Sequence, residues 1–103
     1  MNSMKIKRTK LFEKELKKLK KKHYPIQAIE PCLSAILNKD TNTLKKIKDH
    51  SLKGNWQGYR EFHPSRYGNY DNNFDSWIVI YKLDNDELVL LLVSTGNHDI
   101  LKG

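Results

Sequence analysis

Three histidines and a few carboxylates hold most of the chemistry available to this chain. His50, His63 and His98 are far apart in sequence, and Asp71, Asp75 and Asp99 stand near the last two. Imidazole changes charge near neutral pH, with an unperturbed pKa of about 6.5. Two rings and a carboxylate can therefore divide proton removal from proton delivery. Cleavage of RNA needs that division. A base takes the 2′-hydroxyl proton, the freed oxygen attacks the neighbouring phosphate, and an acid protonates the leaving 5′-oxygen. General acid–base catalysis contributes about 10²–10⁴-fold, and a cation should stabilise the charge on the phosphate. Each histidine also has a plainer reading as an exposed or hydrogen-bonded structural residue. Three histidines and an aspartate would be adequate zinc ligands, but the short spacings typical of such sites are absent. There is no phosphate-cradling glycine loop, paired metal motif or nucleophile elbow.

The elements that must position these groups follow from periodicity. Met4 to Arg8 alternates enough for a short first strand. Thr9 suits a helix N-cap, and Phe12, Leu16 and Leu19 then recur at helical spacing, with lysines outside that stripe. Tyr24-Pro25 ends this helix, because the residue before proline disfavours helical angles. Ile29, Leu33, Ile36 and Leu37 mark a second helix, which either begins near Pro31 or kinks there. Thr43 to Ile47 could add a further helical turn. Asp49 to Gly58 shows no period and reads as loop. Strands are expected at about Tyr59–His63, Ser76–Leu83 and Glu87–Ser94, the last two joined as a hairpin through Asp84-Asn85-Asp86. The order suggests one α+β domain over residues 1–103: two N-terminal helices on a mostly antiparallel four-stranded sheet, β-α-α-β-β-β. Trp56 and Trp77 read as core or rim packing. In such a sheet, His50, His63 and His98 could converge at one edge.

Composition narrows the class. The chain has 103 residues, enough for one core. No apolar run approaches membrane-span length, and the start MNSMKIKRTK lacks the apolar region of a signal peptide. The lone Cys32 cannot form an internal disulfide, so a reducing cytoplasm is the expected setting, with no cofactor and no membrane partner. The charge is uneven. Residues 1–53 hold 15 Lys+Arg against 5 Asp+Glu, whereas residues 54–103 hold 4 against 7. A basic half suits a polyanionic partner, although a solvated lysine-rich helix would look the same. Lys18, Lys21, Lys22, Lys53 and Arg60 are the candidate phosphate contacts.

Within this frame the residues carry a family likeness. The segment DHSLKGNWQGYREFH, Asp49 to His63, resembles the central motif of the YafQ branch of RelE-type toxins, and DSWIVIYKL and STGNHDIL resemble its next two motifs in order. The likeness is specific in the second half and architectural in the first. It implies a RelE-like fold and a type II toxin that enters the 30S A site of the ribosome and cleaves mRNA without a metal. It also implies a cognate antitoxin as operon partner, with the basic half gripping ribosomal RNA. By the same likeness His50, His63, Asp75 and His98 form the catalytic set. His98 would be the general acid, Asp75 or His63 would assist the base, and His50 would orient substrate. The alternatives are a weakened or inactive scaffold that binds RNA, ribosome or antitoxin, or a co-repressor component.

Two positions depart from the family pattern. Ser94 stands where the family usually has an arginine, and the tail Ile100-Leu101-Lys102-Gly103 lacks the family's aromatic. The connection after His63 is also longer than the family's short turn, and it contains Arg66, Tyr67, Tyr70 and Phe74. One expectation is that this insert compensates, bringing Arg66 to the phosphate and a tyrosine to a base. The other is that it is a surface loop contacting the antitoxin or nothing.

Overall fold

The computed structural model describes residues 4–102, so Gly103 at the end of the tail discussed above lies outside the described residues. Strand β1 (Lys5–Arg8) runs into helix α1 (Lys10–Lys21). Thr9 is the joint: its Oγ1 accepts from the Phe12 N–H at 2.9 Å and donates to the Val93 carbonyl at 2.7 Å, capping α1 and tying it to the sheet. Helix α2 (Ile29–Asn38) follows a single 3-10 turn at Ile26–Ala28. Of the two alternatives the first holds: α2 begins near Pro31, at Ile29, and Pro31 falls in its first turn, where its missing N–H has no partner to lose. Helix α3 (Thr41–Lys46), capped by Asp40, is the further helical turn expected near Thr43.

The sheet has five strands rather than four, in the order β1-β5-β4-β3-β2. The additional strand is β2 (His50–Ser51), two residues long, inside the segment expected to be loop. It pairs antiparallel with β3 (Arg60–Phe62), setting His50 opposite Glu61. Two residues are too few to show a period. Strand β4 (Ile78–Asp84) joins β3 and β5 (Val89–Gly96), both antiparallel, while β1 runs parallel to β5.

One core lies between the helices and the sheet. Phe12 and Leu19 from α1 meet Cys32, Leu33 and Ile36 from α2, and all pack on Phe62, Val79, Tyr81, Leu90 and Leu92. Burying an aliphatic or aromatic side chain of this size contributes about 1.5–3 kcal/mol. Trp77 is fully buried, and its indole N–H donates to Thr95 Oγ1 at 2.9 Å. No helix among the described residues is long and apolar enough to cross a membrane.

Candidate functional site

The edge of the sheet at β2 and β3 brings three imidazoles to one carboxylate. Oε2 of Glu61 lies 3.6 Å from His50 Nε2, 3.4 Å from His63 Nε2 and 3.5 Å from His98 Nε2. These separations are longer than ordinary hydrogen bonds and become ion pairs when an imidazole is protonated. Glu61 and His63 are buried, whereas the side chains of His50 and His98 are 52% and 49% exposed. The rings of His63 and His98 meet edge to face, with centroids 5.2 Å apart.

Each ring is aimed by the backbone around it. His50 sits on β2, and its Nδ1 donates to the Lys48 carbonyl at 2.7 Å. His63 follows β3, and its Nδ1 donates to the Asp75 carbonyl at 3.0 Å. A carbonyl can only accept, so both rings carry their proton on Nδ1 when neutral and present an Nε2 lone pair toward Glu61. When protonated, they present an N–H to it instead. His98 lies just past β5, in the turn His98–Lys102. Gly96 makes that turn possible: a Cβ there would come within 2.9 Å of Ile100 Cγ2.

Glu61 is the residue that reading the sequence passes over. It lies between Arg60 and Phe62 on β3, and alternation sends it to the face opposite Phe62. An acid in mid-strand, two residues before a histidine, was the available signal. Burial pushes its carboxyl pKa up, but the contact with His63 and the charges of His50, His63 and His98 outweigh burial and leave it below the usual value. Glu61, His63 and His98 also offer one donor atom each, all within 4.8 Å of one another, a spacing a metal ion could bridge.

The other expected residues divide. Asp75 does not bring its carboxylate to the cluster; that side chain is exposed, and its backbone carbonyl is what holds His63. Arg60 is committed elsewhere, donating to Asp49 Oδ2 at 2.7 Å and to the Tyr81 hydroxyl at 3.2 Å. Tyr67 leaves the cluster for the helix layer, where it borders a crevice with Pro31, Ser34 and Thr43 and lies under the Lys46 ammonium. Tyr70 packs against Gly68. Phe74 packs on Tyr24 with ring centroids 4.8 Å apart and planes tilted by 58°, and Tyr24 in turn meets Trp77. Of the insert's aromatics, Phe74 therefore packs on the core edge, whereas Tyr67 stays exposed. Arg66 makes no ion pair among the described residues. Lys18 and Lys22 line a depression with Gly96 and Asn97, beside His98, and Lys18 also borders a second depression with Lys14, Lys17 and Lys21. Lys53 is exposed just after β2. Ser94 is 3% exposed and donates to Glu15 Oε1 at 2.6 Å, so it is turned to α1.

A family model described as "Bacterial toxin of type II toxin-antitoxin system, YafQ" matches residues 4–103. The "mRNA interferase toxin YafQ" of Escherichia coli (strain K12) is 32% identical over 92 residues, covering 89% of this chain and 88% of that protein. The crystal structure of YafQ from E. coli strain BL21(DE3) superposes with a TM-score of 0.74 at 27% identity, covering 98% of this chain and 100% of the other. The toxin chain in the crystal structure of the E. coli DinJ-YafQ toxin-antitoxin complex matches with a TM-score of 0.70 at 30% identity, covering 97% and 98%.

Proposed function

The chain belongs to the YafQ family of bacterial type II toxin–antitoxin toxins, and on that premise we propose that it is a ribosome-dependent mRNA endoribonuclease of the cytoplasm. A cognate antitoxin would hold it in check. The observation that carries this reading is the gathering of three Nε2 atoms around Glu61 Oε2.

The reaction breaks the bond from phosphorus to the 5′-oxygen and forms one to the 2′-oxygen, with no net redox change. It needs one group to take a proton and another to give one. His50 and His98 are the two exposed rings, so they are the pair that can reach RNA. His98 acts as the acid that protonates the leaving 5′-oxygen. His50, its Nε2 lone pair directed by the Lys48 carbonyl, takes the 2′-hydroxyl proton. Glu61 is too buried to touch substrate. It stabilises whichever imidazolium forms, and through both rings it keeps acid and base in one electrostatic unit. His63 supports the cluster from below. Asp75 serves through its carbonyl. Lys18, Lys21, Lys22, Lys53 and Arg66 are the expected cations that remain for RNA phosphates, which makes binding steeply salt-dependent. No step of this scheme requires a metal.

The test is mRNA cleavage mapped on translating ribosomes. His98→Ala and His50→Ala should each lower the cleavage rate by about 10²–10⁴-fold while leaving ribosome co-sedimentation intact. Full activity in both variants would refute the assignment.

A further inference from the structure

Asp49 is a buried acid that the scheme above does not use. Its carboxylate is 7% exposed and accepts from Arg60 Nη2 at 2.7 Å and from the Tyr81 hydroxyl. Arg60 Nε donates to the same tyrosine oxygen at 3.2 Å, closing a three-residue ring. Stability alone explains such a ring poorly, because desolvation consumes much of what a buried ion pair returns. Burial and then the Asp49 carboxylate push the Tyr81 phenol above its ordinary pKa, so it remains a donor.

Its location gives the ring a role. Asp49 immediately precedes His50, and the strap Ile47–His50 seats two of the imidazoles. The Ile47 carbonyl accepts from the His63 N–H at 2.8 Å, and the Lys48 carbonyl accepts from His50 Nδ1. Lys48, just past the end of α3, has φ of 54°, the left-handed conformation that commonly closes a helix and turns the chain into the strap. The main chain fixes the path of the strap, since Lys48 N–H donates to the Lys45 carbonyl at 3.2 Å and Asp49 N–H to the Leu44 carbonyl at 3.0 Å. These bonds leave the Asp49 side chain free to be gripped from elsewhere, and β2 beyond it is only two residues long at the edge of the sheet. Arg60 and Tyr81 are paired neighbours on β3 and β4, while Glu61, next along β3, points to the other face. The ring thus clamps the strap from the face opposite the histidines.

We infer that Asp49, clamped between Arg60 and Tyr81, is a positioning residue that fixes the strap aiming the His50 imidazole at Glu61, and so sets the cleavage rate without touching RNA. The effect on rate rests on the nuclease reading; the effect on His50 does not.

The experiment compares wild type, Asp49→Asn, Tyr81→Phe, His50→Ala and the doubles Asp49→Asn/His50→Ala and Tyr81→Phe/His50→Ala. Ribosomal cleavage gives kcat and KM, and histidine ring NMR of the purified protein gives each tautomer. Asp49→Asn and Tyr81→Phe should lower kcat by about 10- to 100-fold with KM unchanged. Neither substitution should cost anything further in the His50→Ala background. The His50 ring should lose its Nδ1–H preference while the His98 signals stay in place. Tyr81→Phe keeps the packing, so it decides the matter even if Asp49→Asn does not fold. A full penalty persisting in the His50→Ala background, or an undisturbed His50 ring, would overturn the inference. If wild type fails to cleave, the nuclease reading falls and the NMR comparison still judges the clamp.

Discussion

His63 has a partner at both ring nitrogens: Nδ1 donates to the Asp75 carbonyl at 3.0 Å, and Nε2 lies 3.4 Å from Glu61 Oε2. The ring therefore links the insert after β3 to the acid at the centre of the cluster. That link explains why a long connection can follow His63 without displacing it. Ser65 Oγ donates to the Phe74 carbonyl at 3.0 Å and closes the insert on itself.

Replacing the Asp75 side chain should cost little. Its carbonyl, not its carboxylate, meets the cluster, so Asp75→Ala should cleave at the wild-type rate. A loss comparable with that of His98→Ala, measured in the same ribosomal assay, would restore the carboxylate to the catalytic set.

Glu61→Gln should lower cleavage by about 10²-fold or more, since the neutral amide cannot stabilise an imidazolium. It should also change the response to acid. The Glu61 carboxyl lies below its ordinary pKa in the folded chain, so the unfolded chain binds its proton first as pH falls. The stabilisation is complete above the unfolded carboxylate range, about pH 4.3, and is lost as pH drops through the lower native value. Thermal unfolding across a pH series should show wild type losing its advantage over Glu61→Gln on the acid side. A gap independent of pH would contradict the charge argument.

Zinc should inhibit. Glu61, His63 and His98 can each offer a donor atom to one ion, and an ion there would take the Nε2 lone pairs needed for proton transfer. Micromolar zinc should reduce cleavage, and the zinc chelator TPEN should restore it without affecting metal-free protein. Activity abolished by TPEN alone would instead indicate metal-assisted chemistry.

Phe12→Ala should destabilise the fold by about 3–5 kcal/mol. Phe12 is 1% exposed and joins α1 to the sheet. Denaturant unfolding would measure the loss, and a change below 1 kcal/mol would mean the site collapses around the cavity.

The local elements were legible in the residues themselves. The stripe of Phe12, Leu16 and Leu19 defines α1, Thr9 marks its start, loose alternation marks β3, and continuous apolar runs bounded by turn residues mark β4 and β5, because each signal lies within one short segment. The three histidines were legible through family likeness, and the basic first half through charge. What only the tertiary structure decided was longer-range. The two-residue β2, the parallel pairing of β1 with β5 from opposite ends of the chain, and Phe74 of the insert turning inward onto Tyr24 all depend on contacts distant in sequence. So does the centre of the site. Glu61 lies among three imidazoles because strand pairing sets His50 opposite it and the turn after β5 returns His98 beside it. No periodicity within β3 encodes either neighbour, since register is fixed by the packing of the whole sheet.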